Sequence, residues 1–165
     1  MRQVTHRPAS VWGALLLAAL LCSCAQANSL EGSLTEIMDL GFTTAALSFS
    51  DCGNPLDPQT CSSITLIYSR PNGKAQDIVF KLVALTAPRD VTPGQAINLG
   101  PADDGTARAN VTRSVGGDPV AALAAIKSGE LTINAPLEMD KPNSGDFRVT
   151  FTGPFNAVVS GLFFK

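Results

Sequence analysis

Ile64-Thr65-Leu66-Ile67-Tyr68-Ser69-Arg70-Pro71-Asn72-Gly73-Lys74-Ala75-Gln76-Asp77-Ile78-Val79-Phe80-Lys81-Leu82-Val83-Ala84 holds two period-two runs with turn-forming residues between them. Successive side chains of a strand point to opposite faces, so Ile64, Leu66 and Tyr68 share one face of the first run. In the second run Ile78, Phe80, Leu82 and Ala84 share a face, and the other face mixes Asp77 and Lys81 with Val79 and Val83. Arg70-Pro71-Asn72-Gly73 places proline at the second turn position and glycine where a left-handed residue is needed. The stretch predicts a β-hairpin closed by a type I turn with a glycine bulge.

The same period continues outward along the chain. Phe147, Val149 and Phe151 alternate with Asp146, Arg148, Thr150 and Thr152, the pattern of a half-buried strand, and Leu131 and Ile133 repeat it on a smaller scale within 130–134. Weaker strands are expected over 34–40, 42–50, 96–99, 107–115 and 155–164, with turn clusters at 87–90, 92–94, 100–105 and 141–145. About eight or nine short strands punctuated by Gly and Pro predict an all-β domain, either a single antiparallel β-sandwich or a small β-barrel. Asp118-Pro119 and Gly129 bracket an alanine-rich stretch with helix start and stop signals, so one short helix is expected near 119–127, with an irregular extended connection as the alternative.

The N-terminal segment differs in kind. Arg2, His6 and Arg7 precede an uncharged apolar run at 11–21, which is shorter than the roughly 20 residues a permanent transmembrane helix needs. A basic start followed by a short apolar core reads as a signal peptide. Leu21-Cys22-Ser23-Cys24 resembles the lipobox of bacterial lipoproteins. That resemblance implies removal of residues 1–23, acylation of Cys24, and attachment to a lipid membrane through it. Ala25 after the cysteine implies, on the same resemblance, the outer membrane, with the protein facing the periplasm or the cell surface. Ala25-Gln26-Ala27 is a competing A-x-A cleavage site that would release a soluble secreted or periplasmic protein starting at Asn28. The expected organisation is a signal peptide over 1–23, a polar tether over 24–33 and one all-β domain over 34–165.

Composition narrows the chemistry. The 165 residues are 45% hydrophobic, enough for a real core, and carry 12 Lys+Arg against 14 Asp+Glu, which argues against a polybasic nucleic-acid binder. The single histidine and single tryptophan are His6 and Trp12, both in the leader, so the chain beyond it contains neither. Without imidazole there is no Ser-His-Asp triad, no Cys-His pair and no His-bearing zinc site, and the remaining cysteines are too few for a four-thiolate zinc site. Walker-type phosphate loops are absent as well. These absences predict a non-catalytic structural or interaction domain with no cofactor and no metal.

The remaining candidates each carry a functional and a bland reading. Cys52 and Cys61 flank Gly-Asn-Pro-Leu-Asp-Pro-Gln-Thr and predict one disulfide; closing a loop of this size contributes about 2.7 kcal/mol. A redox pair would favour Cys-x-x-Cys in an electropositive setting, whereas Asp51 and Asp57 make this one acidic. Asp103-Asp104-Gly105 is read as a solvated turn in preference to a calcium loop. Glu130, Glu138 and Asp140 are the candidates for a carboxylate-based hydrolase, which needs two acids roughly 5–10 Å apart. Asn110-Val111-Thr112 matches a glycosylation acceptor but falls in an expected strand. Leu162-Phe163-Phe164 is a final paired strand or an edge that docks a partner by strand addition. If the domain is a barrel, Phe80, Leu82, Phe147 and Phe151 would line a cavity for an apolar ligand.

Overall fold

The computed structural model describes residues 27–138, 141–153 and 156–164. Their strands are β1 (Ser29–Glu31), β2 (Thr44–Ser50), β3 (Ser63–Asn72), β4 (Ala75–Ala84) and β5 (Ala96–Asn98), then β6 (Ala109–Ser114), β7 (Ala121–Ala122), β8 (Ile126–Ile133), β9 (Ser144–Phe151) and β10 (Val158–Phe164). They form two five-stranded sheets, β1-β10-β9-β8-β5 and β2-β3-β4-β6-β7, antiparallel throughout. Among the described residues no strand pair links one sheet to the other, so the architecture is a β-sandwich and not a closed barrel. Helical geometry is confined there to three 3₁₀ turns, Ser33–Glu36, Pro58–Thr60 and Pro88–Asp90.

The alternating residues do what their period requires. Phe147, Val149 and Phe151 of β9 and Leu131 and Ile133 of β8 are buried, while Asp146, Arg148 and Glu130 point to water. From the facing sheet come Ile64, Leu66 and Tyr68 of β3 and Phe80, Leu82 and Ala84 of β4. Phe80 stacks on Phe147 across the interface with ring centroids 5.4 Å apart, and Tyr68 lies 6.0 Å from the same ring. Each large apolar side chain buried in this way contributes roughly 1.5–3 kcal/mol. The interior around Phe80 and Phe147 is therefore filled by its own side chains.

Two glycines let the aromatic layer close. Phe147 pairs with Gly161 and Phe163 with Gly145 across β9 and β10, so each ring lies over a residue with no side chain. Tyr68 reaches over Gly161 and donates its hydroxyl to the Leu162 carbonyl at 2.9 Å, joining the two sheets by a hydrogen bond.

Several sequence expectations are corrected. The β3–β4 turn is Gly73-Lys74, two residues later than expected; Gly73 alone of the pair has positive φ, which makes the turn type II′. Pro71 is inside β3, past Ser69, the last residue of β3 paired to β2, so its missing N–H leaves no ladder bond unmade there. One extra residue in β4 shifts the register between Ile78 and Phe80 against both neighbouring strands. This bulge moves Asp77 and Val79 to the buried side and leaves Ile78 half-buried on the other. Residues 34–40 hold a 3₁₀ turn and a loop where a strand was expected. Residues 29–31 of the expected tether form β1 on the edge of β10.

The expected helix near 119–127 is absent. Ala121–Ala122 pairs with Thr112 and Arg113 of β6, and Ile126 already begins β8 in the opposite sheet. Sheets pack about 10 Å apart, and four helical steps rise only about 6 Å where four extended steps cover about 13 Å. The crossing from Ala122 to Ile126 therefore overrides the helix propensity of its alanines.

Candidate functional site

Cys52 and Cys61 are joined in a disulfide. It closes the loop between β2 and β3, where the Asp57 carboxylate accepts from the Gln59 N–H at 3.0 Å and caps the Pro58–Thr60 turn. Gln59 then donates its side-chain amide to the Leu137 carbonyl at 3.0 Å, fastening this loop to the β8–β9 connection of the other sheet. The disulfide braces this loop, and Gln59 within it makes the link to the other layer.

The carboxylate candidates are spread along the chain. Glu130 stands on the outer face of β8, in register with Arg148 of β9 and Asn98 of β5. Glu138 is exposed in the loop five residues after Ile133, and Asp140 lies outside the described residues, as does Cys24. Asp104 accepts from the Thr106 N–H at 2.8 Å in a turn closed by Gly105; hydrogen bonds from Thr106 hold its carboxyl below the usual range. Among the described residues no three His, Cys, Asp or Glu side chains gather where they could hold a metal ion. Asn110 is exposed on β6 beside buried Val111. Leu162 and Phe163 belong to β10, which is paired to β9 on one side and β1 on the other, so this segment is an interior strand of its sheet. No helix among the described residues is long and apolar enough to cross a membrane.

The sequence reading missed a polar node at one end of the β3–β4 hairpin. Buried Asp77 accepts from the Gly116 N–H at 2.9 Å, from the Asn72 amide at 2.9 Å and from Arg70 Nε at 3.4 Å. Arg70 also pairs with Asp39 and donates to the Gly41 carbonyl at 3.1 Å, and Arg113 donates to the Asp39 carbonyl at 2.8 Å. The Gly116 and Asn72 donors, and then Arg70, hold the Asp77 carboxyl below its ordinary range; Arg70 and the Gly41 N–H do the same for Asp39. These groups satisfy one another and tie the loop before β2 and the β6–β7 turn to the hairpin. No pattern flags Asp77 in advance, because only the bulge turns it inward.

A second missed feature is a cleft where the chain crosses between sheets. The β5–β6 connection and the residues 123–125 that link β7 to β8 bracket a space of about 400 Å³. Leu99, Ala109, Val111, Leu123 and Ile126 make its apolar walls, and exposed Arg108 is the one charged residue in its lining. An adjoining cavity of about 160 Å³, walled by Leu34, Met38, Phe151 and Ala157, shares Leu123, Ala124 and Thr152 with it. A depression of about 450 Å³ over the outer faces of β5, β8 and β9 is more open and half polar, with Glu130 and Arg148 in its floor.

Ser63 Oγ is buried with no hydrogen-bond partner among the described residues, so no base in that set activates it. Comparison of the chain with protein-family models, with curated proteins and with solved structures found no match.

Proposed function

We propose that this chain is an exported lipoprotein, anchored through acylated Cys24, whose β-sandwich is a non-catalytic structural or interaction module. The Cys52–Cys61 disulfide is the observation that carries the reading, because such bonds persist in oxidising compartments outside the cytosol. The lipobox-like Leu21-Cys22-Ser23-Cys24 supplies the anchor, and the basic and apolar segments before it supply the export signal. Acyl chains gain about 0.8 kcal/mol per buried methylene; one chain holds a protein only marginally, and two or more hold it firmly. The module's side-chain repertoire agrees with a binding role: no histidine follows residue 6.

Detergent phase partitioning of the full chain tests the anchor. Wild type is expected in the detergent phase and Cys24→Ala in the aqueous phase. Wild type in the aqueous phase, or Cys24→Ala remaining with detergent, overturns the acyl anchor.

A further inference from the structure

We propose that the cleft between the two sheet-crossing connections binds one monomeric amphiphile, an acyl chain bearing an anionic head group, with the chain between the sheets and the head group on Arg108. The inference is independent of how the protein is anchored. Its first support is the origin of the space. β7 has only two residues, and the crossing that follows is Leu123-Ala124-Ala125, so Ala122, Ala124 and Ala125 put methyl groups where a sandwich edge is ordinarily closed by larger side chains. Val111 of one sheet and Ile126 of the other, both buried, line its inner side.

Size and shape select the ligand class. A cavity of about 150 Å³ lined by apolar side chains accommodates benzene. This one has about 400 Å³, within the range of small-molecule sites, and shares Leu123, Ala124 and Thr152 with the adjoining 160 Å³ cavity. Two neighbouring apolar compartments with a shared lining suit an extended chain better than a compact ring. Met38 in the second compartment adds an unbranched, adaptable side chain.

Charge selects the head group. Arg108 has no ion pair and no side-chain hydrogen bond among the described residues. Asp104 is close enough to be acidified slightly by it, yet does not pair with it. An exposed guanidinium in the lining of an apolar cleft offers a carboxylate two parallel donors and repels a cationic amphiphile.

The test is a fluorescence titration of the full chain, freed of detergent, with dansyl-labelled undecanoic acid, followed by competition with dodecanoic acid, dodecanol and dodecyltrimethylammonium. Saturable binding of one probe per chain is expected, displaced best by the acid and least by the ammonium compound. Ala124→Trp fills the cleft and is expected to weaken binding at least tenfold; Ala107→Trp, on the opposite connection, provides the same test should the first variant melt early. Arg108→Gln is expected to weaken the acid about fivefold, the scale of an exposed ion pair, and to leave dodecanol unchanged. Absence of saturation, or wild-type affinity in both tryptophan variants, overturns the site. Equal competition by acid and alcohol overturns the anionic head group, and probe uptake only when phosphatidylglycerol vesicles are present overturns a monomeric ligand.

Discussion

Gly161→Ala is the most discriminating test of how the two sheets meet, because its sign is not obvious from local propensity. Replacing a strand glycine by alanine removes backbone freedom from the unfolded chain and ordinarily stabilises by about 0.5–1 kcal/mol. At Gly161 the added methyl would stand 2.6 Å from Phe147 Cε1, 2.8 Å from the Ser29 carbonyl oxygen and 2.9 Å from the Tyr68 hydroxyl. Phe147 is held by its stack on Phe80, and the Ser29 oxygen is backbone, so neither can yield freely. Overpacking of this kind costs about 1–3 kcal/mol. Displacing Tyr68 from the Leu162 carbonyl removes a further 0.5–1.5 kcal/mol or so. The net expectation is a loss of about 1–3 kcal/mol, read from urea unfolding with the disulfide intact and appearing as a fall in Tm of roughly 3–10 °C. Ser160→Ala, the adjacent residue on the other face, should stay within about 0.5 kcal/mol of wild type. A Gly161→Ala protein as stable as wild type, or more so, would refute the placement of Phe147 and Tyr68 over this strand.

Other perturbations probe separate parts of the fold. Reducing Cys52–Cys61, or replacing both residues by serine, should lower unfolding free energy by about 2–3 kcal/mol in the same urea assay. Phe151→Asp places an unpaired charge on the buried face of β9, and loss of a cooperative thermal transition is the expected outcome. Asp77 and Asp39 have carboxyls acidified by folding, so their contribution is present above the unfolded value near pH 4 and is lost as pH falls through the folded one. Asp77→Asn should therefore be less stable than wild type at neutral pH, with the difference in Tm shrinking as the buffer is taken below about pH 4. Tyr68 is the one tyrosine, and burial pushes its phenol well above the ordinary value near 10. Its stabilising contribution is full below that ordinary value and is lost as pH rises, so tyrosinate absorbance in an alkaline titration should appear together with loss of the fold and not before it.

The parts of the fold legible in the sequence are those where one face alone meets the core. β9 alternates along its length and β8 does so from Gly129 onward, past an extra residue at Lys127, and Phe147, Val149, Phe151, Leu131 and Ile133 all lie where the period places them. The β3–β4 hairpin was legible as a hairpin but not in its details. An extra residue in a strand leaves a period-two pattern intact on either side of itself, so Ile78 and Phe80 look equivalent, although the bulge sends them to opposite faces. Pro71 attracted the turn because proline favours it. The condition that let proline remain in the strand, the end of β2 pairing at Ser69, is a tertiary fact. Two of the three shortest strands had no pattern at all: Ser29-Leu30-Glu31 contains one apolar residue and Ala121-Ala122 only methyls, and both exist because a neighbouring edge supplies hydrogen-bond partners.

The candidate site was less legible for a related reason. A search by residue type picks out side chains able to carry chemistry, and in a sandwich built on alternation the charged ones are sent to the outer faces. Glu130 illustrates this: the period that buries Leu131 and Ile133 turns it to water beside Arg148. Asp77 escaped to the interior only through a bulge, and there its capacity is consumed by Gly116, Asn72 and Arg70. The apolar cleft arises differently, from what its residues lack. Its wall is an alanine-rich run that must bridge two sheets in extended form, and the small side chains leave space in a cleft lined by Val111 and Ile126. Alanine in such a run reads locally as helix, the one element type expected over 119–127 that the crossing cannot accommodate. The same mismatch between propensity and path that defeats the helix expectation therefore creates the space, and Arg108 on the opposite connection gives that space its charge preference.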